Sequence, residues 1–159
     1  MEESLRDKEL MEGASGFHKN VEEVFLLPKQ DIRNATPLTL AFVGDNVFDL
    51  VVRTVLFEEG NRKLNEIHKK KSNLVKAATQ AWIGTYLLEN GLFSEEEADY
   101  YRKGKNAKNL SHAKNAGFAE YHKATGLECV MGYLYLTDRE TRAIELCKLG
   151  ISAFLDNQA

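Results

Sequence analysis

From residue 36 onward, apolar residues recur at the i, i+3, i+4 and i+7 spacing of helices with one buried face. No stretch reads better as a strand than as a helix, so the fold class is all-α. The first clear element opens at Thr36-Pro37, a good N-cap followed by proline at the first helical position. It runs through LTLAFVGDNVFDLVVRTVLFEE and is expected to stop before Gly60, a residue suited to the turn after a helix. Because it is apolar almost all round, it reads as the buried central helix. A second helical stretch, with Asn65 as its cap, carries Ile67, Leu74, Ala78, Ala81, Trp82 and Leu88 toward a core and ends at Gly91. Ser94 with Glu97 makes a capping box for the next helix. The following stretch KGKNAKNLSHAKNAG, residues 103–117, reads as an exposed basic loop. Another apolar helix, FAEYHKATGLECVMGYLYL, comes after it. Thr137 with Glu140 makes a second capping box, opening a last helix whose apolar face includes Ile144, Cys147, Ile151 and Phe154. Upstream, residues 19–30 fit a short helix ending near Pro28, and residues 1–18 show no strong period. Residues 1–30 are therefore set apart as an unassigned extension, and residues 31–159 as one helical domain.

Composition adds exclusions. The 159 residues are 43% hydrophobic and 28% charged, which suits one soluble domain with a real core. Cys129 and Cys147 form no CxxC pair and sit in apolar helical surroundings, so they read as buried free thiols. The histidines His18, His68, His112 and His122 make no i,i+4 metal pair. The polar, acidic start MEESLRDKEL is no secretory leader, and no apolar run approaches a membrane span. A reduced cytoplasmic setting without membrane contact is the expectation.

Charge changes the picture more. Net charge is −3, but it is segregated. Residues 62–76 and residues 102–123 each carry six bases against one acid, while the remainder holds 9 bases and 22 acids. Such concentration is the footprint of a polyanion site on an otherwise acidic protein. Charge alone does not separate that from two solvated helix faces.

Two acids stand where a helix should be apolar. Asp45 lies within LAFVGDNVFDLVV, beside Gly44, and Glu128 lies within ATGLECVMGYLYL, with Gly132 one turn on. An ionised carboxylate in such a place is costly unless it is paired, hydrogen-bonded or metal-bound. A mid-helix glycine suits close approach of another element. Two such acids on packed helices suit Mg²⁺, which prefers hard oxygen ligands and keeps part of its water shell. The plainer alternatives are that Asp45 bonds a neighbouring helix and that Glu128 lies on an ordinary polar face.

These residues resemble the ribonuclease III family. LAFVGDNVF, residues 40–48, is similar to that family's signature helix, and LECVMGYL, residues 127–134, to its second acidic motif. The resemblance is closer still to the minimal Mini-ribonuclease III branch, which has the catalytic domain only. IHKKKS at 67–72, KGKNA at 103–107 and AKN at 113–115 follow that branch's L-H-K-K-S, R-G-R-N-A and P-K-N blocks, in order. The full-length family has four acids at its metal site. Here Ala41 and Thr125 stand at two of those positions, as in the minimal branch, and only Asp45 and Glu128 carry over. Asp49, one turn from Asp45, is a further acid within reach of the site.

The resemblance implies a homodimeric helical bundle of the ribonuclease III endonuclease-domain type, with two sites along one valley. It implies Mg²⁺-dependent hydrolysis of double-stranded RNA, with Asp45 and Glu128 as both catalytic residues and metal ligands. The expected substrate is the 23S ribosomal RNA precursor, and a ribosomal protein stands as a candidate partner. RNA contacts fall to His68, Lys69, Lys70, Lys71, Lys103, Lys105, Asn106, Lys108 and Lys114, in place of a separate double-stranded-RNA-binding domain. His68, His112 and His122 are secondary candidates for acid–base work. Two rival readings remain: an inactive relative that only binds RNA or the ribosome, and an all-helical nucleotide pyrophosphatase. The second wants acids clustered on neighbouring turns. The run Glu95-Glu96-Glu97 instead opens a helix, where acids suit the dipole.

Overall fold

The computed structural model describes residues 16–60, 63–108 and 117–159. Among these residues the secondary structure is helical throughout. The helices are α1 (Phe17–Val24), α2 (Pro37–Glu58), α3 (Leu64–Val75), α4 (Ala77–Glu89), α5 (Glu95–Lys105), α6 (Phe118–Leu136) and α7 (Glu140–Gln158), with a short 3₁₀ turn at Ile32–Asn34.

Helix α2 starts as the sequence indicates. The Thr36 hydroxyl accepts from the Thr39 N–H at 3.1 Å, and Pro37 follows. The chain leaves the helix at Gly60, whose φ of 109° favours glycine. The expectation that α2 is the buried central helix is corrected. Its buried positions are Leu40, Ala41, Gly44, Phe48, Val52 and Leu56, one face that runs mostly at steps of four residues. Leu38, Phe42, Leu50 and Phe57 lie on another side, with Phe42 76% and Phe57 73% exposed.

The helix enclosed on most sides is α6, in which Ala124–Leu127 and Cys129–Leu134 are buried. It packs against α2, α4 and α5 and touches α7. Burying each large side chain there, such as Leu127, Met131 and Leu134, contributes roughly 1.5–3 kcal/mol. Phe48 and Tyr133 join this core, while Trp82 and Tyr135 are half-buried. Cys129 and Cys147 are buried and free, and burial pushes both thiols up to about 12. On α7, Cys147 and Phe154 are buried, but Ile144 is exposed.

Five further expectations are corrected. The stretch from Asn65 to Gly91 is two helices, because Lys76 is extended (φ −65°, ψ 153°). The Thr79 hydroxyl donates to the Asn73 carbonyl at 2.5 Å, and the Gln80 amide donates to the Val75 carbonyl at 2.8 Å. These side chains satisfy carbonyls that the interrupted helix leaves open. Lys63, not Asn65, precedes the first of the two helices. The Thr137–Glu140 capping box does not form. The Thr137 hydroxyl donates back to the Tyr133 carbonyl at 2.7 Å, ending α6, and Asp138 turns the chain with φ 59°. Helix α1 begins two residues earlier than the pattern suggested and ends well before Pro28. Finally, the supposed loop from residue 103 is helical as far as Lys105. A Cβ on Gly104 would sit 2.6 Å from Cys129 Cβ and 2.9 Å from Gly126 Cα, so glycine lets this turn dock tightly on α6.

The Ser94–Glu97 capping box is present in both halves. Glu97 does more than cap: it is buried and accepts from Arg142 Nε at 2.9 Å and Nη2 at 2.9 Å, tying α5 to α7.

Candidate active site between two crossing helices

Helices α2 and α6 cross at paired glycines. A Cβ on Gly44 would collide with the Glu128 carbonyl and lie 2.6 Å from the Gly132 nitrogen. A Cβ on Gly132 would collide with the Leu40 carbonyl and lie 3.1 Å from the Gly44 nitrogen. Only two glycines permit such backbone contact. The residues next to this crossing, Asp45 on α2 and Glu128 on α6, are thereby brought to one cleft.

The cleft holds about 340 Å³ and is lined by Leu38, Ala41, Phe42, Asp45, Asn46, Tyr121, Thr125 and Glu128. Its α2 wall follows i, i+3, i+4, i+7 and i+8; its α6 wall follows i, i+4 and i+7. Each wall is therefore one helix face. Asp45 is exposed at the rim and Glu128 is half-buried. Burial pushes the Glu128 carboxyl up to about 8, and the negative charge of Asp45 adds to the shift. No described cation pairs with either acid. Hard oxygens facing one another without a positive partner suit a small divalent ion. Among the described residues no set of three or more His, Cys, Asp or Glu converges as a metal cluster.

Asp49 does not join them. Its Oδ2 accepts from Arg53 Nε at 2.6 Å, and it does not line the cleft. Nor do the described histidines among the candidates. His68 is exposed on α3, and His122 packs edge-on against Phe118 with ring centroids 4.3 Å apart. His112 and Lys114 lie outside the described residues.

The basic candidates fall on two separate elements. His68, Lys69, Lys70 and Lys71 occupy consecutive positions of α3, which fan around a helix at about 100° per residue. Lys69 and Lys70 are exposed, whereas Lys71 is half-buried. Lys103 and Lys105 end α5, with Asn106 as its cap and exposed Lys108 just beyond. Lys103 Nζ stands 4.8 Å over the Tyr100 ring, which stacks on Tyr133 at 3.8 Å. Sequence reasoning passed over Asn46 and Tyr121 and treated Thr125 only as a missing acid. The i, i+4, i+7 spacing of Tyr121, Thr125 and Glu128 was the available signal.

The profile of the Ribonuclease III domain matches residues 38–139, which span both acids and the helix crossing. The chain belongs to the ribonuclease III family. This family membership makes it an endoribonuclease of the class acting on double-stranded RNA, and the family uses a divalent metal. Curated relatives carry the name Mini-ribonuclease 3, the branch indicated by the five motif blocks. The Staphylococcus aureus relative is 40% identical over 111 residues, covering 70% of this chain and 83% of that protein. The Thermoanaerobacter relative is 37% identical over 136 residues, covering 86% and 92%. A crystal structure of a Fusobacterium nucleatum protein shares the fold with a TM-score of 0.66 and 26% identity, covering 79% of this chain and 98% of that one.

Proposed function

We propose that this ribonuclease III family member hydrolyses phosphodiester bonds of double-stranded RNA at Asp45 and Glu128 with Mg²⁺, and that its substrate is the 23S ribosomal RNA precursor. The observation that carries the reading is the pair of acids at the glycine crossing, where burial, with the negative charge of Asp45, raises the Glu128 carboxyl to about 8. Both carboxylates would hold the ion. When bound, it neutralises charge on the scissile phosphate and lowers the pKa of a coordinated water.

The protein's own groups divide the work. Asp45, exposed at the rim, would hold the ion on the side open to RNA, while recessed Glu128 would hold it on the inner side. Tyr121, Phe42 and Leu38 wall the cleft. Lys69, Lys70, Lys105 and Lys108, with His68, Lys71, Lys103, Asn106 and Lys114, contact the RNA backbone. Such contacts position a duplex without reading its sequence. A-form RNA recognised by shape and phosphate fits this arrangement.

A homodimer is part of the proposal. Leu38, Phe42, Leu50 and Phe57 fall within about 120° of α2's circumference. They form an exposed apolar stripe beside the cleft, which a second copy would cover. A ribosomal protein that presents the RNA is a further candidate partner. A cytoplasmic setting fits the two free thiols and the lack, among the described residues, of any helix long and apolar enough to cross a membrane.

The test is cleavage of a ribosomal precursor duplex and of a generic long duplex with Mg²⁺, comparing native protein with Asp45→Asn. Mg²⁺-dependent cutting by the native protein alone is expected. Binding without cutting of either RNA would favour an inactive RNA-binding relative.

A further inference from the structure

Thr125 is the one other polar group that lies deep in the cleft, being 5% exposed. Its hydroxyl donates to the Tyr121 carbonyl one turn back at 2.9 Å. That bond uses the only proton Oγ1 has, so toward the cleft the oxygen can only accept. A donor to it would come from whatever occupies the cleft. No described side chain donates to it. Valine would fill the same space on the buried face without a hydroxyl to desolvate, and such exchanges are often neutral or stabilising when no partner is lost. The hydroxyl keeps a lone pair free to accept on its cleft side. Two carboxylates cannot fill the six positions of a small hard cation, so most are left to water. Those waters are strong donors that require acceptors.

We propose that Thr125 is a positioning residue whose Oγ1 accepts a hydrogen bond from a water bound to the divalent cation between Asp45 and Glu128. The inference rests on the metal reading of that acid pair. It assigns Thr125 a neutral supporting role: it orients a water and adds no charge to a cleft that already holds two acids.

The test uses the full chain without RNA. Mg²⁺ affinity is measured by calorimetry for native protein, Thr125→Val, Thr125→Ser and Asp45→Asn, with melting temperature in EDTA as the fold control. Thr125→Val is expected to weaken Mg²⁺ binding roughly tenfold, the usual scale for outer-sphere groups. It should leave the EDTA melting temperature level or higher, and Thr125→Ser should stay near native. In cleavage, Thr125→Val should raise the Mg²⁺ concentration for half-maximal rate and leave the KM for RNA at saturating Mg²⁺ unchanged. If Asp45→Asn abolishes binding while Thr125→Val binds as tightly as native, the Thr125 proposal alone is overturned. The same holds if Thr125→Ser is as weak as Thr125→Val, since the loss is then one of packing. If Asp45→Asn changes nothing, the metal reading falls and the proposal falls with it.

Discussion

Glu97 and Glu128 are acids on helices of one small bundle, and their surroundings send them in opposite directions. Burial pushes Glu97 up, but hydrogen bonds from Arg142 and the Ser94 N–H outweigh it and hold its carboxyl below the usual range. Glu128 is also pushed up by burial, but has only another acid, Asp45, beside it, and rises to about 8. The first acid is satisfied inside the protein by an arginine on α7. The second has no described cation beside it. On the proposed reading, the bundle closes its structural site with its own cation and leaves the Asp45–Glu128 pair to be completed by a metal ion.

The largest expected effect separates the two acids by function. Asp45→Asn or Glu128→Gln should lower cleavage of double-stranded RNA by about 10³-fold or more, since several kcal/mol of metal-derived stabilisation is lost. Glu97→Gln should keep its rate once folded. Rates measured at a temperature well below each variant's melting point decide it.

Stability should divide the other way. Arg142→Ala strands a buried acid, at a cost of about 2–3 kcal/mol after allowing for the partly exposed arginine. Melting should fall by roughly 5–10 °C, with Mg²⁺ affinity unchanged. Glu97→Gln placed on that background should recover part of the loss, because the charge is gone. A normal melting temperature for Arg142→Ala would break the comparison on the structural side.

The pH dependence has opposite signs. The folded state holds the Glu128 proton more tightly than the unfolded state does. Stability from this group is therefore full below about pH 4.5 and declines as pH rises toward about 8. Glu97 behaves conversely: its contribution is present above its ordinary value of 4.5 and is lost as pH falls through its lowered folded value. Melting curves in EDTA should show native protein losing stability from pH 5 to 8 relative to Glu128→Gln. Mg²⁺ should restore the native protein and leave the variant unmoved.

The smallest effect sharpens the boundary of the site. Lys105→Ala or Lys108→Ala should weaken RNA binding a few-fold and reduce the slope of log affinity against log salt by about one, with no change in Mg²⁺ affinity. Binding measured across a salt series checks this.

Much of this was legible from the residues. Glycines beside acids in two apolar helices marked the crossing, and the Thr36-Pro37 and Ser94–Glu97 signals set two helix starts correctly. The Lys76 break was hidden because the side chains that stabilise it, Thr79 and Gln80, bond backward onto backbone carbonyls, which no periodicity records. The partner of Glu97 lies 45 residues away, a separation that local capping rules do not span. Residues 103–105 looked like loop because lysine, glycine and asparagine suggest one. Tertiary packing of Gly104 on α6 outweighs that preference. The exposed side of α2 was not legible because an exposed apolar surface looks the same in sequence as a buried one.

The most direct test of the central claim is Mg²⁺-dependent cleavage of a long double-stranded RNA, run in parallel for native protein, Asp45→Asn, Glu128→Gln and native protein in EDTA. The account predicts cutting by the native protein with Mg²⁺ and none in the other three, with all variants folded. Cutting that persists at native rate in Asp45→Asn or Glu128→Gln would contradict it, because the uncompensated acid pair would then not be the place where the RNA is cut.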